Sequence, residues 1–142
     1  MTLFSSARRN RKRRPLQRGA ALVEFALVAP ILFMFFMACI EFSRINMIRN
    51  SIAISAYEGA RRGIIPGATA AQAEATARAS LAATGITPQS VTVSPATLTT
   101  STEVVTVTVT AAGANNLWIS PLFSGGMVLT KSASLSREKT SN

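Results

Sequence analysis

The stretch Arg18-Gly-Ala-Ala-Leu-Val-Glu-Phe-Ala-Leu-Val-Ala-Pro-Ile-Leu-Phe-Met-Phe-Phe-Met-Ala-Cys-Ile-Glu-Phe42 decides how the chain is read. From Ala20 to Ile40 every residue but Glu24 is uncharged. At about 1.5 Å of rise per residue this segment makes roughly 32 Å of helix, against a bilayer hydrocarbon core of about 30 Å. Ala26 to Ile40 shows no polar face, which argues against the buried helix of a soluble protein. Pro30 removes one helical hydrogen bond and makes a bend there reasonable. Glu24 is the anomaly, because a charge at bilayer depth costs about 2.5–3.5 kcal/mol on insertion scales. A segment that served only as an anchor gains nothing from it.

Outward from this stretch, charge is distributed unevenly. Of the fifteen Lys and Arg residues, Arg8, Arg9, Arg11, Lys12, Arg13, Arg14 and Arg18 all precede the span, with no acid among them. The remaining eight stand against six glutamates, so the net charge of +9 describes a tail and not a basic fold. These seven residues read as topology determinants: the positive-inside rule keeps the N-terminus in the cytoplasm and sends the rest of the chain across the membrane. Attraction to anionic headgroups accompanies that role. Nucleic-acid binding is the weaker reading, since no aromatic residue is interleaved with the charges. Two processing signals compete with a permanent span. A secretory signal peptide would have a shorter apolar stretch, no glutamate and an A-x-A site. A lipoprotein signal is only loosely matched by Phe36-Met37-Ala38-Cys39.

Absences narrow the function classes. The chain has no Asp and no His, which excludes His-based triads and the common metal sites. Its glutamates are dispersed, its single cysteine lies in the apolar run, and it carries no phosphate-binding glycine loop. We therefore expect no enzyme activity, no metal, no cofactor and no small-molecule substrate.

Gly19 followed by Ala20-Ala21-Leu22-Val23-Glu24-Phe25 resembles the processing site of type IV prepilins. The wider wording Arg18 to Phe33, with Glu58-Gly59-Ala60-Arg61 further on, resembles the TadE-like family of minor pilins (pseudopilins) of Flp/Tad pilus systems. The close likeness runs from Arg18 to Arg62; beyond it the match is one of general character. The resemblance implies cleavage between Gly19 and Ala20 by a prepilin peptidase, with other pilin-like subunits and the Tad assembly machinery as partners. It implies inter-subunit docking through Glu24, with Phe25 supporting helix packing. It places the protein in a bacterial inner membrane, or in a pilus after processing. The plainer alternative for Glu24 is a carboxylate at the interfacial edge that snorkels to water. The rival for the whole chain is an unprocessed single-span envelope protein with no pilus role.

The rest of the sequence reads as an α+β unit behind a long helix. Phe42, Ile45, Ile48, Ile52 and Ala56 fall at helical spacing, so the helix continues past the membrane, and its stripe covers either the chain's own sheet or a neighbouring subunit. Glu58 and Arg62 form a favourable i,i+4 pair. Gly59 suits close helix packing. Pro66-Gly67 marks a turn, and Thr69-x-x-Gln72 reads as a capping box for a second helix ending at Gly85. Strands are expected at 91–94, at 104–110, where Val105, Val107 and Val109 alternate with threonines, and at 127–135. Leu117-Trp118-Ile119 and Leu122-Phe123 read as core or sheet cover, with an exposed adhesive patch as the alternative. The organisation expected is a basic cytoplasmic leader (1–19), a transmembrane helix (20–40), its amphipathic continuation (41–62), a small extracytoplasmic helix-plus-antiparallel-sheet domain (63–136) and a frayed polar tail (137–142).

Overall fold

The computed structural model describes residues 14–118 and 126–137, with side chains from residue 19 onward. Its elements are α1 (Arg14–Gly63), α2 (Ala70–Ala83), β1 (Ser90–Ser94), β2 (Val104–Ala112), the short α3 (Gly113–Asn116) and β3 (Val128–Ser136). The chain divides into two compact units, the second beginning at Ile40. The architecture is α+β, as expected: a long apolar N-terminal helix, a second helix and an antiparallel sheet.

In the first unit α1 begins earlier than Ala20. Pro15 sits in its first turn, where its missing N–H removes nothing the helix uses. Pro30 lies inside the helix without ending it. The most apolar stretch has no residue buried within the protein, and it is long enough to cross a membrane.

The second unit is built on the C-terminal part of α1. Ile48, Ile52, Ala56 and Ala60 are fully buried, with Ile45 packed at their margin. The stripe therefore covers the chain's own core. Phe42 departs from the expectation: it is 67% exposed, one turn before the burial begins. Facing the stripe are Val105, Val107, Val109 and Ala111 of β2, and Ala77 and Leu81 of α2.

The sheet has the order β1-β2-β3, antiparallel throughout. Its register sends valines inward and hydroxyls outward. Ser90, Thr110 and Thr130 form one row, Thr92, Thr108 and Ser132 the next, and Ser94, Thr106 and Ser134 the third. Across β2 and β3 these hydroxyls bond to one another at 2.8 Å (Thr106 with Ser134), 2.8 Å (Thr108 with Ser132) and 3.2 Å (Thr110 with Thr130). Cross-strand pairs of this kind are each worth a few tenths of a kcal/mol to about 1 kcal/mol.

Local signals set the ends of the elements. Ala68 N–H bonds to Ile65 O at 3.0 Å around Pro66 and Gly67, whose φ of +79° only glycine adopts without strain. Thr69 and Gln72 then form the capping box in both directions. α2 closes in a Schellman motif: Gly85 N–H bonds to Ala82 O at 3.1 Å and Ile86 N–H to Leu81 O at 3.3 Å, with Gly85 at φ +68°. Ile86 and Leu81, the apolar pair that accompanies such a motif, are both buried in the core.

Three expectations need correction. Glu58 and Arg62 make no ion pair among the described residues; Arg62 instead donates to Gln72 Oε1 at 3.3 Å, and the i,i+4 pair that forms is Glu74–Arg78 at 2.8 Å. Trp118 is not core, being 78% exposed, although its neighbour Leu117 is buried; Ile119, Leu122 and Phe123 lie outside the described residues. Arg137 is not the start of a frayed tail. Its guanidinium donates to the carbonyls of Gly63 (3.0 Å), Ile64 (3.1 Å) and Ile65 (3.2 Å) and to Thr99 O (2.8 Å), while its backbone N–H bonds to Glu103 O at 2.8 Å. The carbonyls that end α1 have no helical partners, and a cation suits that end of the helix dipole. One side chain thus joins the end of α1, the loop before β2 and the end of β3.

Replacing Arg137 by Ala removes the side-chain donor from Gly63 O and Ile64 O, while Ile65 O and Thr99 O keep their bonds from Ala68 N–H and Thr102 N–H. We expect Arg137→Ala to lower stability by about 1–3 kcal/mol, whereas Lys131→Ala, at an exposed strand position, changes it by less than about 0.5 kcal/mol. Urea unfolding of the detergent-solubilised chain checks both.

Candidate functional site

The residues singled out by sequence fall into two groups, one in each unit. Gly19, Ala20, Glu24 and Phe25 lie on the N-terminal part of α1, all exposed. No side chain among the described residues forms a hydrogen bond or ion pair with Glu24. A Cβ added at Gly19 would meet nothing within 4 Å. The backbone from Arg14 through Gly19 is helical, and glycine in a helix interior costs roughly 1 kcal/mol relative to alanine. Gly19 therefore weakens the helix locally. Of the charged leader, Arg14 and Arg18 lie on this helix, while Arg8, Arg9, Arg11, Lys12 and Arg13 lie outside the described residues.

The second group, Glu58-Gly59-Ala60-Arg61, has a physical role of another kind. Glu58 and Arg61 face outward; Gly59 and Ala60 face the core. A Cβ at Gly59 would stand 3.0 Å from Ala73 O, 3.0 Å from Ala77 Cβ and 3.2 Å from Val107 Cγ1. One turn on, a Cβ at Gly63 would stand 2.8 Å from Val105 Cγ1. These glycines let α2 and β2 approach the α1 backbone more closely than any side chain would allow.

Asn116 went unnoticed in the sequence. It is buried, and its side chain is fully engaged: Thr87 N–H donates to Oδ1 at 2.8 Å, and Nδ2 donates to Thr87 O and Ala112 O, each at 2.9 Å. Its own carbonyl accepts from Arg44 Nε at 3.2 Å, which ties α3 to the start of the folded part of α1. An Asn in a four-residue helix leaves no periodic signal, and only the structure reveals these partners.

The family model for TadE-like protein matches residues 19–61. This segment, less than half of the chain, is similar to that family. The match opens on Gly19 and closes on Arg61, so it takes in both groups: the apolar helix with its exposed glutamate, and the small-residue element that seats the helix in the folded unit. No curated protein and no solved structure matches the chain significantly. Among the described residues no cluster of His, Cys, Asp and Glu could hold a metal ion.

The TadE-like glycine element gives a direct test. Gly59→Ala forces a methyl against backbone and methyl neighbours, and overpacking of this kind costs about 1–3 kcal/mol. Gly19→Ala meets open space and leaves the unfolding of the second unit unchanged. Thermal melts of the two variants followed by circular dichroism separate them.

Proposed function

We propose that the chain is a non-catalytic minor pilin or assembly component of a Tad/Flp pilus system, serving tight adherence and secretion. In this reading it is made as a precursor in a bacterial inner membrane, with a cytoplasmic N-terminus and the folded unit outside. The observation that carries the reading is the TadE-like match beginning at Gly19, on a helix whose Glu24 is exposed and has no partner among the described residues.

A prepilin peptidase cutting between Gly19 and Ala20 removes all seven leader charges and leaves a new α-amine on Ala20. That amine has an unperturbed pKa of about 7.7–8.0 and is largely protonated at neutral pH. It pairs with Glu24 of a neighbouring helix. An unpaired charge in such a low-dielectric bundle costs about 3–5 kcal/mol, so the pairing favours one axial stagger between helices. Leader removal also frees the helix from charges that would otherwise be dragged through hydrocarbon on extraction. The partners are the membrane, the peptidase, other pilin-like subunits and the Tad machinery. Nucleic acid, a metal and a cofactor have no place in it.

Intact mass and N-terminal sequencing of the protein purified from its own membranes test the cleavage: the expected chain starts at Ala20. A chain retaining Arg8 to Arg18, in cells that contain the peptidase, returns the protein to the class of simple anchored domains. Glu24→Ala is expected to insert and be cleaved normally but to lose co-purification with pilin-like subunits. Unchanged co-purification would remove Glu24 from docking.

A further inference from the structure

Trp118 is the single tryptophan of the chain and the most exposed large apolar side chain among the described residues, at 78%. The residues just before it are held by packing and hydrogen bonds. Leu117, beside it, is buried, and Leu117 N–H bonds to Gly113 O at 2.9 Å to close α3. Asn116, two residues before it, is locked through its side chain to Thr87 and Ala112 and through its carbonyl to Arg44. The indole lines a shallow hollow with Ile40, Glu41, Ser43, Arg44 and Met47.

Those α1 residues have a particular position along the chain. Ile40 is the last residue of the apolar run, and Arg44 follows it by four residues, or roughly 6 Å of helical rise. The polar interface on each side of the hydrocarbon is about 5–7 Å thick. The hollow therefore falls, by continuity of α1, at the level where the chain leaves the hydrocarbon. Its chemistry suits that layer. Tryptophan combines a large apolar body with one N–H donor and concentrates at membrane–water interfaces. Arg44 is a cation at headgroup level. Glu41 Oε1 is buried with no hydrogen-bond partner among the described residues.

We propose that Trp118 is a second membrane contact, an interfacial anchor whose ring lies at headgroup level in the leaflet from which α1 emerges. The inference rests on α1 being the membrane anchor. Interfacial aromatic residues set the depth and tilt of a spanning helix, so this contact fixes how far the folded unit stands from the bilayer. It draws on a residue more than seventy positions from the span in sequence.

Because the chain has one tryptophan, its intrinsic fluorescence reports this site alone. The full chain is reconstituted into phosphatidylcholine–phosphatidylglycerol vesicles, with and without lipids brominated near the headgroup end of the acyl chain. Expected are a blue-shifted emission, strong loss of intensity in the brominated vesicles and protection from aqueous iodide. Water-like emission that iodide quenches and bromine does not overturns the proposal. So does a blue-shifted emission indifferent to bromine, which places the ring against protein. Flotation of the same vesicles reads the anchor separately. A chain that floats with a water-exposed ring keeps the anchor and loses the interfacial contact; a chain that does not float loses both.

Discussion

The packing of α1 against the inner face of β2 is the constraint on which the folded unit depends. Without Ile48, Ile52, Ala56 and Ala60, the valines of β2 would have only α2 to cover them. α2 offers Ala73, Ala77 and Leu81 as its buried face, which lets it come close but gives it little area to bury. A three-stranded sheet of this size with no disulfide has a marginal core. The helix that is greasy enough to cross a bilayer also supplies a large share of that core. Folding and anchoring thus reside in the same element, and a unit cut away from residues 40–63 would lose the layer its sheet packs on.

Along that helix the composition changes in step with its surroundings. Through the apolar run, large side chains point in every direction and none is buried by the protein. From Ile48 the buried residues lie on one face and shrink toward the end, from isoleucine to alanine to glycine. The taper has a cause in the contacts: Gly59 and Gly63 lie where α2 and β2 come nearest to the α1 backbone. Arg137 then closes the same end by taking up the terminal carbonyls.

What the sequence made legible were features with a local or periodic cause. The alternation of Val and Thr in β2, the Thr69–Gln72 capping box and the Pro66–Gly67 turn each depend on neighbours within a few positions, and each appears where it was expected. The features that escaped join distant parts of the chain. Arg137 reads as tail because its partners at the end of α1 lie more than seventy residues away. Asn116 went unread because its partners Thr87 and Arg44 are distant in sequence and leave no trace in its own neighbourhood. Trp118 reads as core or sheet cover on hydrophobicity, which cannot distinguish a residue that packs inward from one that faces outward as it does here. In the candidate site, the TadE-like character of residues 19–61 was legible as wording; that Gly59 serves close packing was legible only as a possibility of its residue type, and its neighbours came from the fold.

The burial of the inner stripe limits how copies of this chain can meet. Ile48, Ile52, Ala56 and Ala60 are occupied by their own sheet, so they offer nothing to a neighbouring helix. The opposite face of α1 carries Met47, Ile54 and Tyr57, exposed and interspersed with Asn50 and Arg61. It is too polar to act as a continuous apolar seam. The outward face of the sheet is a grid of hydroxyls that already satisfy one another in part and carry no charge. In the first unit Glu24 stands exposed with no partner among the described residues, and in a low-dielectric layer the attraction of such a carboxylate for a complementary charge would be magnified.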